Sequence, residues 1–271
     1  MIENILWLSL GLLIAASLIP KEKDLKFTAA GAGWGLFSVH WVLQWQHYVD
    51  LGDFVNLLLT VLAALSCLLL GFLLIKKDRR LMRDINGISI INSIFMATTA
   101  SAVGGISYFA FSEIMPLNHW LITTVTDQTE WLGLLLGIEI IRLDTNLLSV
   151  NGYRVEIILA CTAIESIALF AGIIASASAP FGRSAKAFLV SIPIIYALNL
   201  IRNVFVIEAY AMSWFGDPEM SFYIAHTIIA KAGSLVALFV IAYAVMKILP
   251  EIIDMIDGII NLFRGIFKNA G

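Results

Sequence analysis

This chain reads as an all-α polytopic membrane protein: about seven or eight transmembrane helices, a small extracytoplasmic β-hairpin and a C-terminal amphipathic helix. Three observations predict that class. The 271 residues are 60% hydrophobic and 14% charged, where a soluble domain carries about 25% charged residues. The mean hydropathy is +0.90. The apolar residues fall in blocks close to the roughly 20 residues that cross a bilayer, rather than in amphipathic stripes. The formal net charge of −3 is small and gives no basic patch, so no nucleic-acid partner is expected.

The expected spans are about 4–20, 27–46, 54–75, 85–112, 158–178, 187–210 and 221–248. Met1 to Pro20 lacks the basic start of a cleavable signal peptide and reads as the first span. Four connections are basic: Lys21 to Lys26, Lys76 to Arg83, Phe181 to Lys186, and the tail with Lys247, Arg264 and Lys268. The positive-inside rule places them in the cytoplasm. Gln46 to Asp53 and Ser213 to Met220 contain no Lys or Arg and belong outside. The chain is therefore expected in the cell membrane, multi-pass, in four regions. Residues 1–112 form N-terminal transmembrane helices, and 113–157 an extracytoplasmic or re-entrant segment with the hairpin. Residues 158–249 form the catalytic transmembrane helices, and 250–271 an interfacial helix.

Within the second region, Pro116 to Ile141 is apolar enough to span, yet Thr123, Thr124, Thr126, Asp127, Gln128, Thr129 and Glu130 interrupt it. Either it is a broken or re-entrant element shielded by protein, or it is an eighth span; the first reading is adopted. Asn151-Gly152 between short alternating runs signals a hairpin that feeds the segment holding Cys161. Pro250 to Phe267 is apolar with interspersed Glu251, Asp254, Asp257 and Arg264, the pattern of an interfacial amphipathic helix.

The chemistry lies in three apolar segments. Cys161 opens Cys161-Thr162-Ala163-Ile164-Glu165-Ser166, Arg202 lies inside Leu198 to Phe205, and His226 heads the last span. A rise of 1.5 Å per residue puts Arg202 roughly 12 Å below the outer end of its span near Tyr210. Cys161 and His226 fall within one to two turns of the same surface, so all three share the outer third of the membrane. Ionisable residues at such depth are costly and mark function by default. A thiolate is the reactive form of cysteine, and a fixed cation favours it. Arg202 keeps its charge in any environment and could stabilise either the thiolate or an oxyanion. His226 can take the thiol proton and return it to a leaving amine.

Plainer readings stand beside these. A cysteine near a helix end is more often packing, and a histidine near a membrane surface is more often interfacial. Arg202 is too deep for ordinary snorkelling, which leaves a structural ion pair as its alternative. Glu165 lies one turn below Cys161 at i+4, on the same helix face. There it would pair with Arg202 or orient His226. Asn199 and Asn203 flank Arg202 as supporting residues. Asp127 and Glu130 either line a polar cavity or lie exposed; with Tyr153 on the hairpin they are assigned to substrate binding.

Other features carry less. Cys67 has no ionisable neighbour and reads as a buried hydrophobe, and no disulfide is expected. His40, His47 and His119 share no metal-ligand spacing, so neither metal nor cofactor is expected. Gly31-Ala32-Gly33-Trp34-Gly35 reads as close helix packing, because no strand precedes it. Trp41, Trp45 and Tyr48 look like an interfacial belt.

Three motifs in order, Ala160-Cys161-Thr162-Ala163-Ile164-Glu165-Ser166, Pro193 through Asn199-Leu200-Ile201-Arg202-Asn203, and Ala225-His226, resemble the exosortase/archaeosortase family on its archaeal side. The likeness covers about residues 120–245. It implies a membrane transpeptidase with Cys161 as nucleophile, Arg202 as its cation and a third basic residue. Arg is also found in that third role among archaeal members; this chain offers His226, with Lys231 further along the same helix. The resemblance implies that the substrates are exported proteins with a C-terminal tripartite signal. That signal is a Pro-Gly-Phe-like motif, a transmembrane helix and a basic tail. Cleavage would pass through a thioester, with a membrane phospholipid as acceptor of the new C-terminus. Two other classes compete: a transporter with Glu165 and Arg202 in its pathway, although no inverted repeat is visible, and a non-catalytic membrane scaffold.

Overall fold

The computed structural model describes residues 2–20, 23–50, 52–76 and 88–270, with side chains throughout except at 47 and 266–270. The basic segment Lys76 to Arg83 beyond Lys76, together with Lys21, Glu22 and the Lys268 side chain, lies outside the described residues. The chain is mostly helical, with one small sheet. In order come α1 (Ile2–Leu18), α2 (Asp24–Asp50), α3 (Phe54–Lys76), α4 (Ile90–Glu113) and α5 (Met115–Leu135). Three strands follow, β1 (Ile141–Asp144), β2 (Leu147–Val150) and β3 (Tyr153–Glu156), then a 3-10 turn at Leu159–Cys161. The last helices are α6 (Ile164–Ser176), α7 (Phe181–Leu189), α8 (Ile192–Ala211), α9 (Pro218–Phe222), a π-helical stretch Tyr223–Ile229, α10 (Ala230–Ile248) and α11 (Glu251–Ala270).

Among the described residues, four stretches are long and apolar enough to cross a membrane: Phe54–Lys76, Ile90–Glu113, Phe181–Ala211 and Pro218–Ile248. Ile2–Leu18 and Ile164–Ser176 are apolar but shorter. The expected seven or eight crossings are thus not all matched by helices of spanning length. The span expected at 27–46 is a long helix diluted by His40, Gln44 and Gln46. The span expected from residue 158 starts only at Ile164, after the 3-10 turn.

Two compact units divide the chain. One holds residues 1–106, 172–178 and 250–271. Here the glycine-rich start of α2 packs closely on α3. A Cβ on Gly71 would meet the Gly31 carbonyl oxygen at 2.9 Å and the Gly35 nitrogen at 3.1 Å. Only glycine allows that backbone approach, so the packing reading of Gly31 to Gly35 holds. Trp34 Nε1 donates to Thr98 Oγ1 at 3.0 Å, joining α2 to α4. The tail helix α11 buries Ile252 and Leu262 and exposes Ile253, Ile256 and Ile260. Its apolar residues therefore serve two faces, one packed on protein and one turned outward.

The other unit holds residues 107–171 and 179–249. Residues 115–135 form one unbroken helix, not the broken element expected from their polar centre. Pro116 sits in its first turn, where its missing N–H costs nothing. Thr126 Oγ1 donates back to the Ile122 carbonyl at 2.8 Å, so this hydroxyl is satisfied within the helix. The hairpin lies where expected: Val150 pairs with Tyr153 across Asn151-Gly152. Both turn residues have positive φ, 51° and 84°, the geometry that selects Asn-Gly. A third strand, β1, extends it to an antiparallel sheet in the order β1-β2-β3. Beneath the sheet Leu148, Val150 and Ile157 pack with Val125 of α5 and Ile207 of α8 in one buried cluster.

Candidate active site

Cys161 does not begin a helix. It ends the 3-10 turn, and Ala163 behind it adopts φ 61°, a left-handed conformation that interrupts the chain before α6. The Cys161 N–H donates to the Ile158 carbonyl at 2.8 Å. Thr162 is fully buried, and its hydroxyl donates to the Leu159 carbonyl at 2.7 Å. This break corrects the argument placing Glu165 one helical turn from Cys161: the two residues do not share a continuous helix face. Glu165 is exposed in the first turn of α6. Partly buried Cys161 stands just before the N-terminus of that helix.

The turn is joined to α8 by two side chains. Asn199 Nδ2 donates to the Cys161 carbonyl oxygen at 2.7 Å, and Asn203 Nδ2 donates to the same oxygen at 3.0 Å. Both asparagines are buried, at 7% and 5% exposure. Arg202 lies between them on the same turn of α8. Its Nη2 is 3.5 Å from His226 Nε2, and its buried Nε meets no acceptor among the described residues. A neutral His226 can accept this contact through a bare Nε2, with the tautomer set by the network.

His226 lies inside the π-helical stretch, where the wider turn re-aims side chains and often marks a functional site. Its ring stacks on Phe222 at a centroid distance of 5.1 Å and an interplanar angle of 7°. Phe222 meets Tyr210 at 5.5 Å, and Tyr210 meets Tyr153 of β3 at 5.2 Å. Tyr153 is thus the far end of an aromatic row that reaches the histidine. Asp217 caps the helix that leads there, accepting from the Met220 N–H at 2.8 Å, and Pro218 follows at the first helical position.

A cavity of about 620 Å³ adjoins the turn. Leu159, Ala160 and Ala163 form one wall, with Glu165 and Ser166 beyond them. Asn199 and Arg202 face it from α8, and Lys231 and Ser234 from α10. The remainder of its lining is mainly aliphatic, including Leu198, Leu235, Leu238 and Ile241. The structure therefore brings Arg202, His226, Asn199, Asn203 and the Cys161 turn together, with Glu165 and Lys231 on the cavity wall.

Asp127 and Glu130 are placed differently. Both pair with Arg142 of β1, Asp127 closely and Glu130 at 3.6 Å. Arg142 also donates through Nε to the Asp144 carbonyl at 3.0 Å and to the Thr145 carbonyl. These two carboxylates tie α5 to the sheet. Sequence reasoning missed Arg142, although a lone Arg shortly after two carboxylates was a usable signal. It also missed the Tyr196 hydroxyl donating to Gln128 Oε1 at 2.7 Å, which joins α8 to α5 and leaves no local trace in sequence. No group of three or more His, Cys, Asp or Glu that could hold a metal ion occurs among the described residues.

Helices of spanning length and a thiol, guanidinium and imidazole on three of the chain's apolar segments define a multi-pass membrane protein with a polar site inside apolar surroundings. The chain matches the family described as transmembrane exosortase (Exosortase_EpsH) over residues 5–246, and it belongs to that family. It is similar to Archaeosortase A of Haloferax volcanii, 30% identical over an alignment of 294 positions that covers 96% of this chain and 93% of the relative. It is also similar to Archaeosortase A of Natronomonas pharaonis, 28% identical over 262 residues, 86% of this chain and 79% of that one. No solved structure matches it.

Proposed function

We propose that this protein is a membrane-embedded cysteine transpeptidase. It cleaves the C-terminal sorting signal of exported proteins and passes the new C-terminus to a lipid acceptor. Membership of the transmembrane exosortase family and likeness to two proteins named Archaeosortase A support the general activity. One observation carries the chemistry. The cysteine turn is held by two asparagines on the helix turn that bears Arg202, and Arg202 touches His226.

In this mechanism His226 takes the Cys161 proton, and the thiolate attacks the scissile carbonyl carbon. The carbonyl π electrons move to oxygen, and the Arg202 guanidinium balances that oxyanion. Collapse of the intermediate breaks the C–N bond, and His226 returns the proton to the departing amine. A thioester remains on Cys161. An acceptor amine, as of a phospholipid head group, gives a proton to His226 and attacks the thioester, releasing the thiol. Glu165 and Lys231 stand on the cavity wall where they can fix the reactants' polar groups, and Lys231 is the other basic residue able to complete the triad. The aromatic row ending at Tyr153 contributes to substrate binding. Asp127 and Glu130 contribute to it by fixing the sheet through Arg142. The substrate approaches from the extracytoplasmic face.

The test is a pair of cysteine variants with a reporter protein ending in a Pro-Gly-Phe motif, an apolar helix and a basic tail. Cys161→Ala is expected to abolish processing with folding retained, whereas Cys67→Ala processes normally. Mass spectrometry of the wild type should reveal the truncated reporter as an adduct on Cys161. Normal processing by Cys161→Ala would end the cysteine mechanism.

A further inference from the structure

The hydrogen bonds around Cys161 raise a question of placement. The 3-10 turn is three residues long, and left-handed Ala163 separates it from α6. Its backbone bonds are local: Cys161 N–H to Ile158 O, and Thr162 N–H to Leu159 O at 3.0 Å. Such a turn is not oriented by the helix that follows it. The hydrogen bonds that dock it on another element are the two from Asn199 and Asn203. Both go to one acceptor, so both lone pairs of the Cys161 carbonyl are engaged.

The donors sit at i and i+4 of α8, and Arg202 lies between them at i+3 from Asn199. Residues at this spacing share a helix face. The clamp and the guanidinium therefore belong to one rigid element, and the thiol's peptide is registered to Arg202 through α8. Burial makes this a firm hold, because a buried amide that loses its acceptor leaves unpaired polar atoms on both sides.

We propose that Asn199 and Asn203 are positioning residues that hold the Cys161 thiol at Arg202 by clamping the cysteine's own carbonyl, and that they do not bind substrate. The inference rests on the reading of Cys161 as nucleophile and Arg202 as its cation. It makes a specific statement: Arg202 acts on the thiol only while the clamp is intact.

The experiment uses the full-length protein in membranes, in a Cys67→Ala background so that Cys161 is the thiol read out. The measurement is the alkylation rate with iodoacetamide at pH 7, which needs no substrate. With both asparagines present, Arg202→Ala should slow alkylation roughly tenfold, because the thiolate loses its cation. In the doubly substituted Asn199→Leu/Asn203→Leu protein, adding Arg202→Ala should change the rate by less than about twofold, the non-additivity expected of residues acting as one unit. Reporter cleavage by the double variant should fall about 100-fold in kcat with KM within about threefold, as for a misplaced reacting group.

A full-sized Arg202 effect in the double variant overturns the clamp. Loss of KM with kcat retained overturns it as well, since it assigns the asparagines to substrate. If the leucine pair does not fold, Asn199→Ala/Asn203→Ala removes the donors without adding a charge beside Arg202 and is judged by the same two criteria. An Arg202→Ala change without effect in the parent protein counts instead against Arg202 as the thiolate's cation, and normal cleavage without Cys161 counts against the cysteine mechanism. The failures are therefore separable.

Discussion

At the scale of single residues, one carbonyl organises the site. Cys161 owes its place less to its own helix than to two amides on α8, and Arg202 owes its neighbour to a π-helical widening that presents His226. The guanidinium has a buried Nε and an Nη2 directed to the imidazole, two separate donors in a planar fork. Lysine has one compact ammonium and cannot serve both directions. Arg202→Lys is expected to lower kcat of reporter cleavage about 100-fold, the order found when one oxyanion donor is removed. Retained turnover in that variant would mean that a point charge suffices.

At the scale of elements, helix ends and turns decide where side chains arrive. Asp217 and Pro218 start the helix that carries Phe222 and His226, and Asp217 closes that start on the Met220 N–H. Asp217→Ala should cost about 1 kcal/mol of local stability, as for other N-caps. Hydrogen exchange should show faster exchange at Met220 to Tyr223 and little change in α3. Equal protection in both proteins would show that the aromatic row, not the cap, holds this end. The sheet shows the same logic: Arg142 ties it to α5 through Asp127 and Glu130, while Leu148 and Val150 bury its inner face.

At the scale of the whole molecule, the charge pattern carries the expectation of orientation. The basic connections predict that Arg183 faces the cytoplasm and that Asn151 and Ser213 face outward. Single cysteines placed at these positions in a background lacking native cysteines should label from opposite sides. Cytoplasmic labelling at 151 would put the site out of reach of exported substrates. On the proposed mechanism, a membrane-anchored substrate must also present its scissile bond at the level of Cys161. Lengthening its apolar helix by about five residues lifts the motif by roughly 7.5 Å. Cleavage should then fall in a graded way with length, since tilting absorbs part of the mismatch. Cleavage indifferent to length would indicate capture by a movable outer segment.

The sequence by itself determined the class of protein and singled out the candidate reactive groups. Apolar blocks reveal membrane helices because each must satisfy its own backbone in lipid. Asn151-Gly152 reveals a turn because φ must be positive there, and Cys161, Arg202 and His226 stand out because ionisable groups are rare in such surroundings. Tertiary structure alone decided how those groups meet. The left-handed Ala163 ended the helix expected through Cys161 and removed the face shared with Glu165. Asp127 and Glu130 were drawn to Arg142 across the fold. Asn199 and Asn203, legible as polar flanks of Arg202, turned out to grip a carbonyl 38 and 42 residues away. Periodicity reports the face a residue takes on its own element, and a hydrogen bond between elements leaves no period to read.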